Sequence, residues 1–147
     1  FEEAARERDI DRYLATRIAH DDGSGRTILP GFGHPLYPDG DPRAALLIDM
    51  LRACVLAPRR SPAHLRAAMR DVDLVVAAAE RATGLAPTVD FALSAIERVF
   101  SLPAGASFAL FALGRAAGWI AHAMEQLDDG RLIRPRARYV GEFNPQD

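Results

Sequence analysis

Glycine and proline cut this chain into pieces, and almost every piece between the cuts carries apolar residues at helical spacing. Breaks fall at Asp21-Asp22-Gly23-Ser24-Gly25, across Pro30 to Pro42, between Pro58 and Pro62, at Gly84 to Pro87, and at Leu102-Pro103-Ala104-Gly105-Ala106. Both residue types disrupt helix and strand interiors, so they mark where elements end. The densest break is Gly31 to Arg43, in which six of thirteen residues are Gly or Pro. His34 therefore lies on a tight loop whose backbone a ligand could approach closely. Asp41-Pro42 closes the loop as an N-cap and first-turn pair for a helix beginning with Arg43, so a histidine and an arginine frame one small space. A plain surface turn before a helix explains the same composition.

Between the breaks the periodicity predicts an all-α chain. Residues 1 to about 20 place Ile10, Tyr13, Leu14 and Ile18 on one face. The helix from Pro42 is expected to bury Leu47, Met50, Leu51 and Cys54, which makes the lone cysteine a core residue. Ser61-Pro62 reads as N-cap and first residue of a longer helix with the stripe Leu65, Met69, Val72, Val76 and Ala79, ended by Gly84, with His64 off the stripe and solvated. A short helix follows at about 89 to 101 with Leu93, Ile96 and Phe100 inward, then a long one at 107 to 127, about 30 Å if continuous. No strand alternation, internal repeat or low-complexity run is found, and the tail after Asp128-Asp129-Gly130 reads as irregular.

Composition removes several classes of function. The 18 basic residues, all Arg, nearly balance 20 acidic ones, for a formal charge of −2, which argues against nucleic-acid binding by charge alone. With one Cys there is no internal disulfide and no thiolate metal cluster, which fits a reducing, cytoplasm-like compartment. No apolar run approaches the roughly 20 residues of a membrane span. At 147 residues the chain has enough length for one core, yet it opens on Phe1 inside a helical pattern, so a piece of a longer chain or a processed product is expected. No phosphate loop, His/Cys metal constellation or nucleophile elbow occurs, leaving phosphoryl transfer, zinc chemistry and serine hydrolysis without support.

Arg115 is the strongest chemical signal in the residues themselves. Phe108, Phe111, Arg115, Trp119 and His122 follow steps of three or four and so share a helix face, which predicts a guanidinium on an apolar stripe in need of an anion. That anion is a bound carboxylate or an internal partner such as Glu125 or Glu97. Asp90 stands at a helix start, where a carboxylate serves as a cap or, kept ionised by the same unpaired N–H groups, as a general base. Arg131, Arg134, Arg136 and Arg138 form a basic tail that is a solvated patch or an anion-binding surface. His122 reads as a polar core or interface residue.

Four stretches, in order from about residue 30 to 141, carry a resemblance. Gly31-Phe32-Gly33-His34 with Tyr37 and Asp41-Pro42-Arg43-Ala44 resembles the active-site loop of the citrate synthase family. Pro87-Thr88-Val89-Asp90-Phe91 is similar to its catalytic-aspartate segment, and Gly114-Arg115 through Gly118-Trp119-Ile120-Ala121-His122 to its long C-terminal helix. Arg134-Pro135-Arg136 and Tyr139-Val140-Gly141 complete the set.

The resemblance implies a citrate synthase-like helical fold. Residues 1–103 would form most of a small, mobile domain, and residues 104–147 a C-terminal helix and arm returning to a large domain. It implies an acyltransferase of the tricarboxylic acid cycle that condenses acetyl-CoA with oxaloacetate, Asp90 acting as base and His34 polarising the ketone. Arg43, Arg115 and a partner subunit's copy of Arg134 would clamp the substrate carboxylates, so a homodimer with composite sites is expected. Acetyl-CoA would be a co-substrate, with no permanently bound cofactor and no metal. The family's upstream His-Gly-Gly segment does not occur in these residues, so full turnover by this chain alone is not expected. The loop from His34 to Arg43 also lacks the basic side chain that some relatives place near the CoA phosphates. A 2-methylcitrate synthase using propionyl-CoA, or a non-catalytic dicarboxylate- or acyl-CoA-binding homologue, fits the same motifs.

Overall fold

The structure is a computed structural model and describes residues 10–20, 27–56 and 61–131. Five helices dominate the described residues: α1 (Ile10–Arg17), α2 (Pro42–Leu56), α3 (Ala63–Thr83), α4 (Val89–Val99) and α5 (Ala106–Asp129). The helices are joined by a two-residue antiparallel ladder, β1 (Ala19–His20) with β2 (Thr27–Ile28), between α1 and the loop of His34. No described helix is long and apolar enough to cross a membrane. The chain divides into two compact units, Phe1–Ala112 and Leu113–Asp147.

In the first unit α2 packs on α4, and α3 packs on α1, α2 and α4 around a shared core. Met69, Val55, Val72 and Val99 are its largest fully buried side chains. The face that α2 buries differs from the expected one: Ala44, Ile48, Leu51 and Val55 point inward, whereas Met50 and Cys54 are exposed and Leu47 is only partly buried. The helix is apolar on nearly every side, with Leu46, Met50 and Leu56 also exposed, so side-chain type does not reveal the buried stripe. A fully buried Ala44 completes the i, i+4, i+7, i+11 spacing that a scan for large residues passes over.

Helix boundaries obey local chemistry. Helix α3 begins one residue later than expected, with Pro62 itself as N-cap and no capping side chain, while Ser61 is buried and its carbonyl accepts from the Arg66 guanidinium. Gly84, at φ +69°, ends α3 in the left-handed conformation, its N–H on the Glu80 carbonyl at 2.8 Å. On α4, Phe91, Ala92, Leu93, Ala95 and Val99 are buried, but Phe100 is exposed because it is already the C-cap, turned away from the helix's inner face. His64 is exposed, as its place off the stripe predicts.

Helix α5, about 36 Å long at 1.5 Å per residue, contains no buried residue. Its start is fixed by Glu97, which accepts the Ser107 N–H at 2.7 Å, a bond that lowers the carboxyl's pKa. Beyond Leu113 the helix supplies most of the described part of the second unit, where Leu113, Trp119, Ile120, Met124 and Leu127 all stand exposed.

Candidate active site

The loop of His34 is zipped to the start of α4. Gly31 and Gly33 have φ of +84° and +71°, a region that side chains disfavour. A Cβ on Gly33 would also come within 3.0 Å of the Leu85 side chain, and one on Gly31 within 3.3 Å of Phe91 Cβ. The bare backbone instead lies against the later segment. Gly33 N–H donates to the Ala86 carbonyl at 2.9 Å, and the N–H and hydroxyl of Thr88 both donate to the Gly31 carbonyl at 2.9 and 3.1 Å. Buried Phe32, its ring 4.8 Å from that of Phe91, fills the seam from below. Two segments more than fifty residues apart thus carry His34 and Asp90 into one neighbourhood.

His34 is held in one tautomer. Its Nδ1 accepts the Leu36 N–H at 3.1 Å, so the neutral ring must carry its proton on Nε2, away from that contact. Its ring centroid is 5.0 Å from that of Tyr37, and the Arg43 guanidinium lies over the same Tyr37 ring at 5.1 Å. The histidine and arginine expected to frame one space therefore share an aromatic wall, which their spacing alone does not reveal.

Asp41 is the N-cap that the sequence predicts, and more. Its buried carboxylate accepts the Arg43 backbone N–H at 3.0 Å, Arg43 Nε and Nη2 at 2.9 Å each, and the Val89 N–H of α4 at 3.0 Å. The hydrogen bonds from the Arg43 side chain, helped by the Val89 and Arg43 amides, hold the carboxyl down to about 2 against the opposing effect of burial. Arg43 is raised in turn, chiefly by Asp41, with a smaller contribution from the charge of Asp90. The Arg43 side chain is half exposed and keeps its Nη1 side open.

Asp90 is the second residue of α4 and is exposed, so the helix N-terminus rather than burial sets its surroundings. It stands at the edge of two clefts of about 310 Å³ each. One is lined by Tyr13, Arg17, Gly31, Phe32 and Phe91, the other by Leu93, Ser94, Ser107, Phe108 and Phe111. The second is mostly apolar.

Arg115 departs from its expected setting. It is exposed rather than buried in an aromatic stripe, and its Nη1 lies where a Cβ on Gly118 would sit, at 2.5 Å. The stripe itself is bare among the described residues: Phe108, Phe111 and Trp119 are all exposed, and no residue of α5 is buried. Of the suggested internal counter-ions, Glu125 is bonded to His122 Nδ1 at 3.2 Å and Glu97 to Ser107. His122, with its side chain about two-thirds exposed, is no core residue. Arg134, Arg136, Arg138 and the Tyr139-Val140-Gly141 segment lie outside the described residues.

A helical domain that zips a histidine loop to an aspartate at a helix start, beside a half-exposed arginine held by a buried carboxylate, defines the class of site found here. Comparison with known proteins gives that class a family. The family model described as citrate synthase, C-terminal domain, matches residues 1–136, and the chain belongs to the citrate synthase family. It is 41% identical over 128 residues to a citrate synthase of Haloferax volcanii, covering 81% of this chain and 31% of that protein. A protein of Bacillus subtilis named citrate synthase 2 is 36% identical over 113 residues (77% and 29%), and 2-methylcitrate synthase 1 of Corynebacterium glutamicum 32% identical over 114 (77% and 28%). The chain thus spans about a third of the length of these relatives.

Proposed function

We propose that this chain is the part of a citrate synthase-type acyltransferase that carries the base and the ketone-polarising histidine, condensing acetyl-CoA with oxaloacetate. The observation that supports this most is the zipper between residues 31–33 and 86–88, which with the Asp41–Val89 bond ties the loop of His34 and the start of α2 at Arg43 to the start of α4 at Asp90. Asp90, ionised at a helix N-terminus, takes a proton from the acetyl methyl. The enol carbon that results attacks the ketone carbon of oxaloacetate, whose oxygen accepts a hydrogen bond from His34 Nε2–H and takes its proton as the alkoxide forms. Water then cleaves the thioester, giving citrate and CoA. The open edge of Arg43, with Arg115 and a partner subunit's Arg134, binds the two carboxylates of oxaloacetate. Holding both substrates in one dry cleft supplies much of the remaining acceleration. The donor to the thioester oxygen is expected from residues upstream of these.

In this reading residues 1–103 belong to the small domain, 104–147 return to the large domain, and the enzyme is a cytoplasmic homodimer. The bare apolar surface of α5 is consistent with a helix that a longer chain covers. A second reading, 2-methylcitrate synthesis from propionyl-CoA, is favoured by the relatives of that name. One extra methylene is worth only about 1–3 kcal/mol of discrimination. The test is CoA-thiol release by the purified full-length protein with oxaloacetate and either acyl-CoA. Faster release from acetyl-CoA supports the first reading and faster release from propionyl-CoA the second. Binding of oxaloacetate without release from either would mean a non-catalytic homologue.

A further inference from the structure

We propose that Asp41 is a positioning residue for this site, joining the anion-binding Arg43 to the helix that carries Asp90. The inference rests on the function proposed above. An ionised carboxylate has about four lone-pair directions, and four N–H donors occupy them here. Oδ1 receives the Arg43 backbone N–H and Nε, and Oδ2 receives Arg43 Nη2 and the Val89 N–H. Capping α2 requires only the first of these, which Ser, Thr or Asn would supply equally well. The other three bonds do something that capping does not.

The Arg43 bonds take the Nε–Nη2 edge of the guanidinium, and Tyr37 lies against its face at 5.1 Å. Edge and plane are therefore both fixed, and the Nη1–Nη2 edge is left as a ready fork for a carboxylate. The fourth bond falls on the first residue of α4, immediately before Asp90 and 48 residues from Asp41 in sequence. One anion thus sets the distance between the group that grips substrate and the group that removes its proton. It must be an anion: a carboxamide in its place would turn an NH₂ group toward two N–H donors, whichever way it rotated.

Two substitutions in the full-length protein separate this role from simple structural support. Val89→Pro deletes only the N–H bonded to Oδ2. Proline is favoured at a first helical position, and Thr88 already has the extended backbone (φ −98°, ψ 170°) that a following proline requires. The expected result is a kcat lowered about ten- to a hundred-fold, the scale of a slight misplacement of a reacting group, with KM for oxaloacetate unchanged. Asp41→Asn should lower kcat and also raise that KM, and it should raise KM no further when Arg43 is already Ala. If both variants lose melting temperature but keep wild-type kcat and KM per folded molecule, Asp41 is only a cap and the proposal is overturned. A wild-type protein that binds oxaloacetate but releases no CoA overturns the proposed function, and this inference with it, before any variant is compared.

Discussion

The start of α4 and the length of α5 are opposite solutions to the same problem of where a helix finds its partners. Around Val89 and Asp90 the chain closes on itself: Gly31, Ala86 and Asp41 satisfy the backbone groups of residues 33, 88 and 89, and Phe91, Ala92 and Leu93 are buried. Along α5 nothing is buried, although Phe108, Leu113, Trp119, Ile120 and Leu127 could fill a core. The difference teaches that apolar periodicity states what a helix can bury but not against what. It also places the candidate site residues His34, Arg43, Asp41 and Asp90 in the region that completes its own packing.

The most direct way to break the comparison is to remove a side chain from the closed region. Met69 is fully buried on α3, and Met69→Ala is expected to cost about 2–5 kcal/mol, as large-to-small core changes do. Urea unfolding measures it, and a cost below about 1 kcal/mol would mean that the core around α3 is not tightly packed. Asp90→Asn probes the site without touching that core. Asp90 is the second helical residue behind the N-cap Thr88, so the amide forfeits only a first-turn charge worth about 0.3–1 kcal/mol and melting should hold within a few degrees, while turnover in the full-length enzyme falls at least about 10²-fold, near 2.7 kcal/mol of barrier. A loss only in proportion to unfolded protein would make Asp90 structural.

Much of this architecture is legible in the sequence, and the failures share a physical cause. Gly84 as a left-handed helix end, Asp41-Pro42 as a helix start and the tight loop around His34 follow from local backbone preferences, which a sequence displays directly. The exposure of Cys54 and the burial of Ala44 do not, because α2 is apolar on nearly every side and the neighbours that choose its inner face come from α3 and α4. Arg115 fails for the same reason. Its helical phase is read correctly from Phe111 and Trp119, but phase does not supply a covering surface. The Val89 bond to Asp41 was beyond reach, since no local rule links residues 48 apart.

Acid gives a smaller effect that belongs to the closed region alone. The Asp41 carboxyl is held at about 2 in the folded protein, below an unfolded value near 4. A depressed carboxyl stabilises the fold fully above the unfolded value and loses that contribution as pH falls through the folded one. Its share, about 2 kcal/mol by linkage, should therefore disappear between pH 5 and pH 2. Urea midpoints over that range should fall more steeply for the wild type than for Asp41→Asn, which has no such proton to take up. Parallel curves would mean that the Arg43 and Val89 bonds do not hold the charge in solution.

The smallest effect should come from α5, and its size ought to depend on how much of the protein is present. In the 147-residue chain Trp119 is more than half exposed, so Trp119→Ser removes little packing and should change stability by no more than about 0.5 kcal/mol, the usual range for a surface site. In the full-length protein, if a longer chain covers α5, the same substitution strips a large aromatic from an interior and should cost about 3–5 kcal/mol. Measuring both by chemical denaturation sharpens the contrast between the two regions, because Met69→Ala should cost nearly the same in either context. An equally small Trp119→Ser cost in both would mean that α5 stays bare in the whole protein, and Arg115 would then face solvent with no enclosed site in which to bind a carboxylate.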